Sequence, residues 1–140
     1  NEYVVMSADG KVIGLEVRKD DEPVMRFLGD GIIVATTTGS TAYSLSAGGP
    51  IVDEDLDVIV VTPLNPIQLS VKPVVFSPQT RISVKLVDRP RMTKLVVDGQ
   101  ASYEVRPGST LRVERGDRVR FVSFKGNYYR RIMRRYEMPC

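Results

Sequence analysis

Gly29-Asp30-Gly31-Ile32-Ile33-Val34-Ala35-Thr36-Thr37-Thr38-Gly39-Ser40-Thr41-Ala42-Tyr43-Ser44-Leu45-Ser46-Ala47-Gly48-Gly49-Pro50 is the stretch around which the chain is organised. It reads as a turn, a strand, a polar loop, one short helix and a stop. Ile32 to Ala35 is a short apolar run, which suits a fully buried strand. The residues from Thr36 to Thr41 cannot continue that apolar face, but they can present hydroxyls and backbone N–H groups. Ser40 or Thr38 can cap a helix starting near Thr41, and Gly48-Gly49-Pro50 ends it. A helix start beside a small-residue loop suits an anion or a polar ligand edge. On these residues alone the stretch serves equally as a ligand site or as a plain strand-to-helix connection.

Outward from it, β-branched residues are plentiful and turn signals recur about every ten residues, the pattern of an antiparallel β protein. Asp9-Gly10 predicts a hairpin between residues 2–8 and 11–18. A charged break at Asp20-Asp21-Glu22-Pro23 precedes a strand over 24–28. Residues 53–57 read as an acidic loop, and Val58 to Val61 as a buried strand. Thr62 to Pro66 holds two prolines and is expected to leave the sheet, while Pro73 makes Val71 to Phe76 an edge strand. Ile82, Val84 and Leu86 alternate with Arg81, Ser83 and Lys85. Asp88-Arg89-Pro90-Arg91 reads as a solvated loop. Leu95 to Val97 is a strand turned by Asp98-Gly99, and Pro107-Gly108 and Gly116-Asp117 mark further turns. Val119 and Phe121 are set opposite Arg118 and Arg120. Between Tyr128 and Tyr136, four arginines stand among tyrosines. They could form a nucleic-acid patch. The favoured reading is an amphipathic segment with Tyr129, Ile132, Met133 and Tyr136 packed at helical spacing and the arginines wet.

With 140 residues the chain is expected to form one domain, spanning 1–140. Hydrophobic residues at 42% and charged residues at 26% are ordinary for a globular protein. A net charge of +3 is compatible with phosphorylated ligands without requiring them. The absence of histidine removes Ser-His and Cys-His nucleophilic catalysis and the commonest metal ligand. The lone Cys140 cannot form an internal disulfide, which suits a reducing, cytoplasmic compartment. No apolar run approaches a membrane span, and no signal peptide is evident. A chain beginning at Asn1 rather than Met is expected to be a piece of a longer one.

The wording from Gly29 to Val52, GDGIIVATTTGSTAYSLSAGGPIV, closely resembles the signature of the NAD kinase family. Asn1-Glu2-Tyr3-Val4-Val5, Thr62-Pro63-Leu64-Asn65-Pro66, Leu69-Ser70-Val71-Lys72-Pro73-Val74-Val75 and Val97-Asp98-Gly99-Gln100 resemble its other segments. The likeness covers the whole chain, strongly to residue 76 and loosely beyond. It implies a mostly β, antiparallel sandwich-like carboxy-terminal domain. One short helix follows the central Gly-Asp-Gly strand, and a short helical segment ends it. The family's Gly-Gly-Asp-Gly-Thr phosphate motif is absent and belongs to an amino-terminal α/β domain upstream. The implied reaction is phosphorylation of the adenosine ribose 2′-hydroxyl of NAD to NADP. ATP, another nucleoside triphosphate or polyphosphate would be the donor, with a divalent metal such as magnesium. The catalytic Asp would lie in the missing domain, and this chain would supply the NAD pocket and no metal ligand.

The resemblance also assigns residues. Glu2 would accept hydrogen bonds from ribose hydroxyls, as a carboxylate can, and the Asn1 carboxamide would reach toward the adenine end. Thr38, Thr41, Ala42 and Tyr43 would line the dinucleotide pocket, the tyrosine ring offering a stacking plane. Ser44 and Ser46 are lesser candidates. Asp30 would contribute to the NAD site and, in oligomers, reach a neighbouring subunit's ligand. Two positions depart from the family: Thr37 stands where Pro is usual, and Leu28 where many members carry Arg. The implied partners are NAD, NADP and a nucleoside triphosphate, in a homodimer or homotetramer with no nucleic acid or membrane. Diacylglycerol and sphingosine kinases share the architecture, but Asn1-Glu2 and the Gly39–Ser44 hydroxyls suit a ribose rather than a lipid. A non-catalytic module that binds nucleotides or only oligomerises is the other alternative.

Overall fold

Ile32, Ile33, Val34 and Ala35 are all buried, because their strand has a packed layer on each side. In the computed structural model, which describes residues 1–87, 91–120, 122 and 127–136 (of 135 and 136 the backbone only), the elements run as follows. They are β1 (Glu2–Ser7), β2 (Ile13–Lys19), β3 (Glu22–Gly29), β4 (Gly31–Thr36), a 3-10 turn (Thr38–Thr41), α1 (Tyr43–Ser46), β5 (Ile59–Leu64) and β6 (Val74–Phe76). Then come β7 (Ile82–Val87), β8 (Thr93–Val97), β9 (Ala101–Val105), β10 (Thr110–Val113) and α2 (Tyr128–Tyr136). The strands form two antiparallel sheets, ordered β6-β5-β4-β1-β8-β9 and β10-β7-β2-β3. The expected mostly β, sandwich-like architecture is present.

Period-two alternation along β4 sends Ile32 and Val34 to one side and Ile33 and Ala35 to the other. The first pair joins Val5, Val61, Leu15, Val17, Phe27, Ile82 and Val84 in the core between the sheets. The second pair joins Val4, Val60, Leu64 and Val52 in a smaller core on the outer face of the larger sheet, against which Ala47 and Val58 also pack. Gly31 is needed for closeness: a Cβ there would stand 2.3 Å from the carbonyl oxygen of Val5.

Several expectations need correction. Asp9-Gly10 does turn, with Gly10 at φ 72°, but it joins no hairpin. Both edges of β1 are occupied, by β4 and β8, so the turn delivers the chain to the other sheet. The strand after the acidic loop does not stop at Val61 but continues through Thr62, Pro63 and Leu64, with Pro63 opposite Ile32. β6 pairs only with Ile59 to Val61, so β5 has a free edge at Pro63, where a residue lacking an N–H is tolerated. The expected edge strand itself is β6, beginning just after Pro73. Residues 114–120 form no strand, and Val119 is exposed; Phe121 and residues 88–90 lie outside the described residues. On α2, Ile132 is buried and Tyr128 half-buried, whereas Tyr129 and Met133 are exposed. The side chain of Tyr136 lies outside the described residues.

Because Leu15 is fully buried between the sheets, Leu15→Ala should lower unfolding free energy by about 2–5 kcal/mol. Leu28→Ala, at a position 37% exposed, should change it by no more than about 0.5 kcal/mol. Urea denaturation of both variants measures the contrast, and equal losses would contradict the packing described.

Candidate functional site

One end of the larger sheet gathers the polar residues of the Gly29–Pro50 stretch against the start of the chain. The Asn1 carbonyl accepts from the Thr36 N–H at 3.0 Å and from the Thr36 hydroxyl at 3.2 Å. Gly39 lies so close above Asn1 that a Cβ on it would fall 2.0 Å from that carbonyl oxygen. Only glycine allows the turn to rest on the first strand. The expected single capped helix is instead two pieces, the 3-10 turn and α1, broken at Ala42, and neither has a side-chain cap. The Thr36 hydroxyl takes over part of that task by accepting from the Gly39 N–H at 3.1 Å.

Thr37, expected to depart from the family, holds the loop through its side chain. Its hydroxyl donates to the Leu56 carbonyl at 2.7 Å and accepts from the Val58 N–H at 3.1 Å. A side chain thus ties the loop to the neighbouring segment where ring stiffness would otherwise hold it. Ser44 is fully buried and bonds the equally buried Thr62 hydroxyl at 2.8 Å, so it secures α1 to β5. Tyr43 and Ser46 are exposed, Thr38 is exposed, and Thr41 and Ala42 are half-buried.

The carboxylate of Asp98, in the β8–β9 turn, completes this end of the sheet. Its Oδ1 accepts from the Glu2 N–H at 2.9 Å and from the Asn1 amino group at 2.7 Å. These N–H donors hold the Asp98 carboxyl below the usual carboxylate range. Glu2 is the reverse case. Burial pushes its carboxyl up, the Asn1 amino charge opposes, and the Asp98 charge adds to the rise. Its Oε2 is buried and meets no hydrogen-bond partner. A buried acceptor without a donor is costly, and a ligand hydroxyl is one way to satisfy it.

Asn1, Glu2 and the turn that holds Thr38 and Thr41 lie at one end of the sheet; Ala42 leads from it into α1, where Tyr43 and Ser46 stand on a helix fastened to β5 over the outer face, and Asp30 lies elsewhere. Asp30 precedes β4, whose other end leads into the turn, so about 20 Å of strand separates it from Thr36 at roughly 3.4 Å per residue. There its carboxylate accepts from the Asn65 amide at 2.8 Å. Asp98 and Thr37 escaped the sequence reading as site residues. Asp98-Gly99 reads as a hairpin turn and Thr37 as a departure, and both act through backbone groups of distant segments. Among the described residues, no group of three or more His, Cys, Asp or Glu could hold a metal ion. No helix of the described residues is long and apolar enough to cross a membrane.

Residues 1–124 match the family model of the ATP-NAD kinase C-terminal domain. The chain belongs to that family. It is 41% identical over 138 residues to an NAD kinase of Aeropyrum pernix, covering 96% of this chain and 49% of that protein. An NAD kinase of Methanosarcina acetivorans is 39% identical, with 96% and 50% covered. A crystal structure of an Archaeoglobus fulgidus NAD kinase in complex with ATP superposes with a TM-score of 0.76 at 36% identity, covering 84% of this chain and 45% of that one. Yeast NADH kinase complexed with NADH superposes at 0.75 and 32% identity, covering 81% and 34%. The chain thus spans about half the length of the archaeal NAD kinases it matches.

The raised Glu2 carboxyl has a sign that can be checked. Below the ordinary carboxylate pKa of about 4.3, Glu2 is neutral in both folded and unfolded chains. As pH rises from there through its raised folded value, the unfolded chain ionises first and the folded state loses stability relative to it. Glu2→Gln should therefore gain stability relative to wild type between acid and neutral pH, measured by urea unfolding across that range. A pH-independent gap would show that the carboxylate is not desolvated.

Proposed function

We propose that this chain is the acceptor-binding domain of an NAD kinase. It would hold NAD while a phosphoryl group passes to the adenosine ribose 2′-hydroxyl, giving NADP. The observation that carries the reading is the buried, partnerless Oε2 of Glu2 beside a turn of threonines and serine. A ribose diol offers two hydroxyl donors to one carboxylate, which is the chemistry that this acceptor lacks. The Asn1 carboxamide would meet the adenine end, and Thr38, Thr41, Ala42, Tyr43 and Ser46 would line the pocket. Asp98 would fix the backbone from which Glu2 projects.

Phosphoryl transfer depends mainly on positioning and on neutralising the donor's charge. The donor would be ATP, another nucleoside triphosphate or polyphosphate, held with the catalytic Asp on an upstream α/β domain. Magnesium would accompany the donor there. The protein would work in the cytoplasm as a homodimer or homotetramer. Asp30, remote from its own Glu2, would then serve the pocket of a neighbouring subunit.

In the full-length protein, Glu2→Gln should weaken NAD binding about tenfold to hundredfold. A hydrogen bond to a charged group is worth roughly 1.5–3 kcal/mol, and 1.4 kcal/mol is about tenfold. NADP, with one hydroxyl fewer to donate, should lose less. Calorimetric titration with both dinucleotides tests this, and unchanged NAD affinity in a folded variant would sink the ribose contact. The chain by itself, incubated with NAD, ATP and magnesium, should form no NADP; appreciable turnover would place the catalytic machinery here.

A further inference from the structure

The terminal helix lies beyond the residues that the family model matches, yet it is fastened beside the site. Asn127 starts it by accepting from the Arg130 N–H at 3.1 Å. From its first turn the Tyr128 hydroxyl donates to the Val52 carbonyl at 2.7 Å. The Tyr129 hydroxyl bonds the Asp53 carboxylate, Arg131 meets Glu54 at 3.3 Å, and Ile132 is buried. Three side chains of one helix therefore bond the segment 52–54.

That segment leads into the one that holds the turn. Leu56 and Val58 grip the Thr37 hydroxyl, so residues 52–58 form a strut alongside the turn. Within the turn itself the Ser40 hydroxyl is buried and meets no hydrogen-bond partner among the described residues, so the helix acts on the turn through the 52–58 strut. Burial, with the charges of Glu54 and Asp53, pushes the Tyr128 phenol above its ordinary value. A tyrosine is protonated at neutral pH in any case, so the hydroxyl stays a donor to Val52.

We infer that Tyr128 is a positioning residue for NAD, holding the 38–41 turn in its binding shape by anchoring α2 to Val52 and so bracing the strut that grips Thr37. This role rests on the functional reading above. Tyr128 touches no ligand itself; it acts through the turn.

The test is Tyr128→Phe in the full-length protein, with Arg134→Ala, exposed on the same helix, as control. Tyr128→Phe should raise the KM and Kd for NAD about two- to tenfold, the worth of one neutral hydrogen bond. The KM for ATP and kcat should stay near wild type, and the control should match wild type throughout. Amide exchange over residues 37–46, without ligand, should be faster in Tyr128→Phe alone. Loss of kcat at unchanged NAD KM would mark a merely structural role and overturn the inference, as would unaltered exchange. If the wild type binds NAD and Tyr128→Phe binds it equally well, the positioning role falls while the functional reading stands. If the wild type does not bind NAD, the functional reading falls first and this role with it.

Discussion

Everything at the candidate site hangs on β4 being enclosed on four sides. Its edges are paired with β1 and β5, and its faces are packed into two separate cores. A strand so enclosed has almost no freedom to slip, since a shift of one residue would exchange its two apolar faces and unseat both cores. The polar run that follows therefore emerges at a fixed height at the sheet's end. Gly39 can then rest on the Asn1 backbone with tolerances of a few tenths of an ångström. The turn's shape follows from core packing several residues away.

Charge follows the same geometry. Asp98 and Glu2 sit at the same end of adjacent strands but live under different conditions. Asp98 is exposed and collects N–H donors, which favours its ionised form. Glu2 is partly desolvated, and one oxygen lacks any donor. Two carboxylates a few ångströms of backbone apart thus divide the work: one orders the main chain and the other stays available.

Local pattern was a good guide wherever a residue's fate depends on its neighbours in sequence. The alternation of Ile82, Val84 and Leu86, the buried run of β4 and the Asp98-Gly99 hairpin are all present. It failed where the outcome depends on distant partners. Periodicity marks which face of β1 is apolar but not that both its edges are taken, so Asp9-Gly10 read as a hairpin. Pro63 read as a stop because nothing local shows that β6 ends short of it. On α2, helical spacing could not distinguish Tyr128 from Tyr129, because the choice is made by Val52, far away in the chain. At the site, the hydroxyl-rich turn and Asn1-Glu2 were legible through their family wording. Thr37 and Asp98 were not, since their bonds go to main-chain groups that carry no sequence signal.

The position of β1 between β4 and β8 carries a consequence for how the molecule assembles. Tyr3 pairs with Val34 on one side and with Val97 on the other. The second pairing closes a loop containing most of the chain, and contacts of such long sequence separation slow folding. During synthesis β1 must wait with one edge open until β8 has emerged, and Glu2 acquires its Asp98 anchor only then. Until then the nascent sheet keeps a bare edge, a target for chaperones or for aggregation, and the carboxylate pair is set later than the β1–β4 contact.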